Sequence, residues 1–249
     1  MRPLTVAALV LGLAACDSQV RSDPEPAPAP PPPPADPVVK AHMAGHFGQG
    51  EAVRKAVILG DVGAAQAGFQ ALADHPVAPG LPEGSKPFVD AYQAAARRGA
   101  EDPAPTPGAQ AAKLAEAAQA CGGCHAANNV KHDWKVPAAP PRDPGVRVHM
   151  ARHAWAMDRM YEGLVGPTEA SWSQAAAMLN DHALDEALLP SGTALTPEAQ
   201  AAGERLHSLG KEALAAGTPE ARGRLFAEAL TTCATCHAAV GVGEAALGK

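Results

Sequence analysis

Two pentapeptides constrain this chain more than any other feature: Cys121-Gly122-Gly123-Cys124-His125 and Cys233-Ala234-Thr235-Cys236-His237. The spacing C-x-x-C-H is that of a c-type haem attachment site, in which two thiols add to the haem vinyl groups and the adjacent imidazole binds the iron. Each copy closes an internal repeat. The first unit opens with Asp36-Pro37 and carries His42-Met43-Ala44-Gly45-His46; the second opens with Asp143-Pro144 and carries His149-Met150-Ala151-Arg152-His153. From His42 to His125 is 83 residues, and from His149 to His237 is 88. Every unit therefore begins with H-M-x-x-H and ends with C-x-x-C-H.

Both units read as four helices. Asp36 and Asp143 are expected N-caps, each followed by a proline at the first helical position. Apolar steps of four and three run through Val39, Met43, His46, Gly50, Val53 and Val57, and again through Val146, Met150, His153, Met157, Met160 and Leu164, marking one buried stripe per first helix. Turn signals at Gly60-Asp61 and Gly166-Pro167-Thr168 separate these from second helices near 62–74 and 169–180. Third helices are expected near 84–98 and 197–215. Fourth helices are expected near 107–125 and 219–237, opened by Thr106-Pro107 and Thr218-Pro219. No sustained alternation marks a strand. The expected fold class is all-α: two tandem four-helix bundles, each with a covalently attached haem.

The N-terminus reads as a targeting segment. An apolar run from Leu4 to Leu13 follows Arg2, too short to span a bilayer and typical of a secretory signal. Leu13-Ala14-Ala15-Cys16 resembles a bacterial lipobox, which makes residues 1–15 a signal peptide and Cys16 the lipidated residue. Residues 16–36 then form a tether whose Pro/Ala tract favours polyproline II and reaches roughly 60 Å at most. The remaining divisions are haem unit one at 37–130, a Pro-rich linker at 131–143, and haem unit two at 144–249. With Cys16 lipidated and four cysteines on haem, none of the five cysteines is left for a disulfide. A net charge of −6, or −7 after loss of Arg2, offers no footprint for nucleic acid.

A C-x-x-C-H at the end of a four-helix unit resembles the class II cytochromes c, which include cytochrome c′. The resemblance covers 37–125 and 144–237. It implies haem on the fourth helix, with His125 and His237 as proximal ligands and a first-helix residue on the far side of the iron. Here that residue is drawn from H-M-x-x-H: His46 and His153 first, with Met43 and Met150, or His42 and His149, as alternatives. Imidazole and thioether both bind haem iron. Zinc on C-x-x-C plus H-x-x-x-H is a competing reading of the same residues. His75, His132, His182 and His207 have no matched constellation and read as surface or loop residues. Trp134 is expected between the units, and Trp155 and Trp172 beside the second haem.

The expected function is electron carriage by a dihaem cytochrome, without enzymatic activity. It would carry two haem c groups and be lipid-anchored on the periplasmic side of a bacterial envelope, the inner membrane favoured over the outer. Partners would be periplasmic or membrane redox proteins. An open distal site would instead suit a sensor or scavenger of NO or CO, and an open polar one a peroxidase.

Overall fold

The structure is a computed structural model that describes residues 36–132, 134–142, 145–181 and 195–242. The expected lipidation residue Cys16, the expected signal segment and most of the expected tether lie outside the described residues, as do Asp143, Pro144 and His182. All regular structure among the described residues is helical. The eight helices are α1 Pro37–Ile58, α2 Val62–Asp74, α3 Lys86–Ala100, α4 Pro107–Ala127, α5 Val146–Val165, α6 Glu169–Leu179, α7 Pro197–Leu214 and α8 Pro219–Ala239.

Local chemistry sets most of these ends. The Asp36 carboxylate accepts the N–H of Val38 at 2.7 Å. Thr106, Thr196 and Thr218 accept from Ala109, Ala199 and Ala221, each just ahead of a proline that needs no hydrogen-bond acceptor. Gly60, at φ +72°, turns the chain after α1, and Asp61 caps α2. Two expectations shift. The cap of α5 is Gly145 with helix from Val146, later than the Asp143-Pro144 start read from sequence. Helix α4 runs through Gly122-Gly123 to Ala127, two residues beyond the expected 125.

Within each half, consecutive helices pack on one another: α1 on α2, α2 on α3, α3 on α4, then α5 on α6, α6 on α7, α7 on α8. The halves do not stand apart. Helices α4 and α8 pack nearly as closely as the most tightly packed sequential pairs. They run antiparallel, with Gly108 beside Thr231 and the Gln119 amide donating to the Pro219 carbonyl at 2.8 Å. Helix α1 also meets α8, and α4 meets α5. Between α1 and α5, Arg54 pairs with Asp158, and Gly50 lies under the Tyr161 hydroxyl, where a Cβ would come within 1.8 Å. Phe69, Leu72, Leu114, Met157, Met160, Trp172, Leu209, Phe226 and Leu230 fill the core. Burying such side chains stabilises the fold by about 1.5–3 kcal/mol each before entropy is counted.

The linker is fastened rather than loose. Trp155 donates from its indole to the Pro137 carbonyl at 3.0 Å, and Arg152 donates to the Pro140 carbonyl at 3.0 Å. Trp134 packs on Phe47 of α1, as its place between the repeats suggests. Trp172 is a core residue, fully buried and donating to the Ala213 carbonyl at 2.9 Å.

Candidate functional site

Each C-x-x-C-H lies in the last turns of its repeat's final helix, α4 or α8. Positions i, i+3 and i+4 share one helix face, so two thiols and an imidazole point the same way. Among the described residues no cysteine is in a disulfide; Cys233 is buried, and Cys121, Cys124 and Cys236 are half-buried. Burial, helped by the neighbouring cysteine, pushes the Cys121 and Cys233 thiols up to about 12. They stay protonated at neutral pH.

The two motif histidines are held in the same way. His125 Nδ1 lies 2.6 Å from the Val165 carbonyl, and His237 Nδ1 lies 3.0 Å from the Ile58 carbonyl. Val165 and Ile58 are the final residues of α5 and α1. The last carbonyls of a helix lack an intrahelical partner and sit at its negative end, so they take an N–H readily. The support crosses between the repeats: α5 of the second unit orients His125, and α1 of the first orients His237. With Nδ1 as the donor, each ring leaves Nε2 as a bare acceptor. Burial lowers the pKa of both rings, against the opposing pull of the carbonyl bond.

Because α4 and α8 are antiparallel, their motifs lie at opposite ends of the pair. The register of Gln119 against Pro219 and Gly223 separates them by about 22 residues of helix rise, roughly 30 Å.

The H-M-x-x-H segments sit on the N-terminal halves of α1 and α5. The stripe expected there is buried in its later part (Val53, Val57; Met157, Met160, Leu164) and half-buried around Met43, His46, Met150 and His153. The structure adds a third imidazole to each segment. His42, His46 and His75 bring nitrogens within 4.8 Å of one another, and so do His149, His153 and His207. His75 caps the C-terminus of α2, whereas His207 lies within α7. His75 does sit outside a helix, as expected, and His207 does not; both join constellations that the sequence did not reveal. The i, i+4 pairs were legible in sequence, but the third member comes from a different helix in each copy, and no local period reveals it. Neither cluster includes a cysteine among the described residues, so the four-ligand zinc arrangement of C-x-x-C with H-x-x-x-H does not form.

His46 Nε2 and His153 Nε2 are shut off from solvent without a hydrogen-bond partner. Burial, then the neighbouring His75 and His42, lowers the His46 pKa to about 4. His153 is held well below its usual range by burial, followed by His149, His207, His237 and Arg152. Both rings are neutral, as a metal ligand requires. His46 also stacks parallel to Tyr92, with centroids 5.1 Å apart.

His132 is another residue that sequence reasoning passed over. Its Nε2 lies 3.0 Å from His125 Nδ1. The donor set of each repeat fits a c-type haem: a thiol pair one turn apart, a proximal Nε2 with its ring fixed through Nδ1, and an unpartnered imidazole on the first helix. No helix among the described residues is long and apolar enough to cross a membrane. No family model, curated protein or solved structure matches this chain.

Proposed function

We propose that this chain is a dihaem c-type cytochrome that carries electrons, built from two four-helix units of the class II kind. The observation that carries the reading is the matched support of His125 and His237. A ligating histidine characteristically donates its other ring N–H to a carbonyl or carboxylate, which fixes its tautomer and direction. Both motif histidines do this, each on the last carbonyl of the other repeat's first helix.

When bound, the haem iron supplies one-electron chemistry, with a potential set by its axial ligands and burial. The chain's own residues do the rest. Cys121 and Cys124, and Cys233 and Cys236, hold one haem each through thioethers. His125 and His237 present Nε2 as the proximal ligand. His46 and His153 are the proposed distal ligands, each having a neutral, unpartnered Nε2. Two imidazoles on each iron would give low-spin centres of fairly low potential, suited to electron transfer and closed to small gases.

The separation of the motifs bears on the alternatives. Electron tunnelling falls off exponentially with distance, so ends roughly 30 Å apart behave as two ports on one molecule. A peroxidase in which one haem feeds the other needs them close, and this arrangement does not favour it. Lipid on Cys16 and the proline-rich tether would keep the module near membrane redox partners at high effective concentration on the periplasmic side.

Optical and paramagnetic-resonance spectra of the purified protein test the reading. Two low-spin haems per chain that ignore carbon monoxide are expected. Replacing His46 or His153 singly by alanine should convert one haem of the two to another spin state. Unchanged spectra would instead return the distal role to Met43 and Met150 or to His42 and His149. Prompt binding of carbon monoxide by the native protein would move the reading to a gas sensor or scavenger. A colourless protein holding zinc would overturn it.

A further inference from the structure

We propose that His132 is a second acceptor for the Nδ1–H of His125, and that it lowers the reduction potential of the haem on the first motif relative to the second. The inference rests on the haem reading above and deepens it.

The geometry is local and well braced. The Nδ1–H of His125 faces two acceptors at once, the Val165 carbonyl at 2.6 Å and His132 Nε2 at 3.0 Å. His132 is held in place from several sides. Its ring stacks on Trp134 with centroids 4.9 Å apart and planes 10° from parallel. Trp134 is backed by Phe47, 5.2 Å away. Both rings lie against Gly166, where a Cβ would come within 2.8 Å of His132 Cδ2 and of Trp134 Cζ2. Glycine at 166 is what lets the linker fold down over the end of α5 and deliver His132 to the proximal ring.

An acceptor on the far nitrogen draws the Nδ1 proton outward and makes Nε2 a stronger electron donor. A stronger donor favours the ferric state, so the potential falls. Among the described residues the second unit is built otherwise. His237 Nδ1–H donates to the Ile58 carbonyl at 3.0 Å, and seven residues after that histidine, where the first unit has His132, the sequence has Glu244, outside the described residues. The two ports would then differ in potential although their motifs match.

The test uses the full haem-loaded chain and two substitutions. His132→Phe keeps a ring on Trp134 and removes the acceptor. His132→Gln loses the ring stack but offers a carbonyl acceptor. In a potentiometric titration, His132→Phe should raise one of two waves and leave the other in place. The ferric paramagnetic-resonance spectrum should show one low-spin signal with altered g spread and one unchanged. His132→Gln should fall near wild type. Unmoved waves in His132→Phe would overturn the proposal, as would an equal shift of both waves or the same shift in the two variants. A wild-type chain without covalent haem would refute the cytochrome reading itself, which keeps the two failures distinct.

Discussion

The two motif-bearing ends share one frame and differ in what surrounds it. In the first, the backbone of α5 crosses so close that a Cβ on Gly122 would lie 2.2 Å from the Leu164 carbonyl oxygen. A Cβ on Gly123 would touch the Phe88 ring at 3.0 Å. In the second, the matching positions are Ala234, buried, and Thr235, exposed with its hydroxyl returned to the Thr231 carbonyl at 2.9 Å. Glycine between the cysteines is thus a packing demand of the first end, not of the motif. The histidine clusters differ likewise: the first takes its third imidazole from the end of α2, and the second from within α7, where His207 Nδ1 pairs with the Leu179 carbonyl. What the copies hold in common is the thiol pair, the proximal imidazole with a helix-end carbonyl behind it, and the H-x-x-x-H on the opposing helix. Those shared parts are what the proposed haem attachment would use; the rest is how each end was made to fit.

Breaking the thiols should have the largest effect. Cys121→Ser with Cys124→Ser, or Cys233→Ser with Cys236→Ser, should each remove one covalent haem of two, read by haem absorbance per chain in denaturant. Loss of both from either double variant would show that the ends depend on each other through the crossed carbonyls of Val165 and Ile58.

Exchanging the residues between the cysteines separates the ends by stability. Gly122→Ala should destabilise by about 1–3 kcal/mol, because the clash is with backbone that cannot swing aside. Ala234→Gly should cost only about 0.5–1 kcal/mol, the ordinary penalty of glycine within a helix. Thermal melts of the two variants decide this, and equal losses would contradict the difference in packing.

Acid should act on both ends of the chain before haem is attached. An unfolded histidine binds a proton below its usual pKa of 6.5, whereas folded His46 resists until about 4. The unfolded state therefore binds more protons in that window, and stability falls as pH drops from about 6.5 to about 4. His153 is held lower still, so the loss from the second end extends further down. Melting temperature against pH should show a shallower slope for His46→Phe than for wild type. The caps that the copies share should also have a small effect: Thr106→Ala and Thr218→Ala should each cost about 1 kcal/mol, and markedly unequal values would mean that the α4 and α8 starts are not equivalent.

Much of this molecule was legible one turn at a time. Helices α2, α4, α7 and α8 begin at the residues their caps and prolines announce, and α1 ends where Gly60 and Asp61 say it should. These features depend on neighbours within four residues, which is the range of helical hydrogen bonding and of capping. For the same reason the repeat, both C-x-x-C-H motifs and the H-M-x-x-H segments could be read directly.

The tertiary structure alone decided what crosses between distant parts. His125 meets a carbonyl 40 residues away, and His237 one 179 residues away. His75, His132 and His207 carry no local signal, because each finds its place through packing against another helix or the linker. A backbone carbonyl at a helix end is the same group in every sequence, so nothing in the side-chain pattern marks Val165 or Ile58 as supports. The sequence alone determined that each half begins with a histidine-bearing helix and ends in a thiol pair and an imidazole. Folding decided that each half's motif imidazole is aimed by the other, since helix α4 against α8 brings each motif to the end of the opposite first helix.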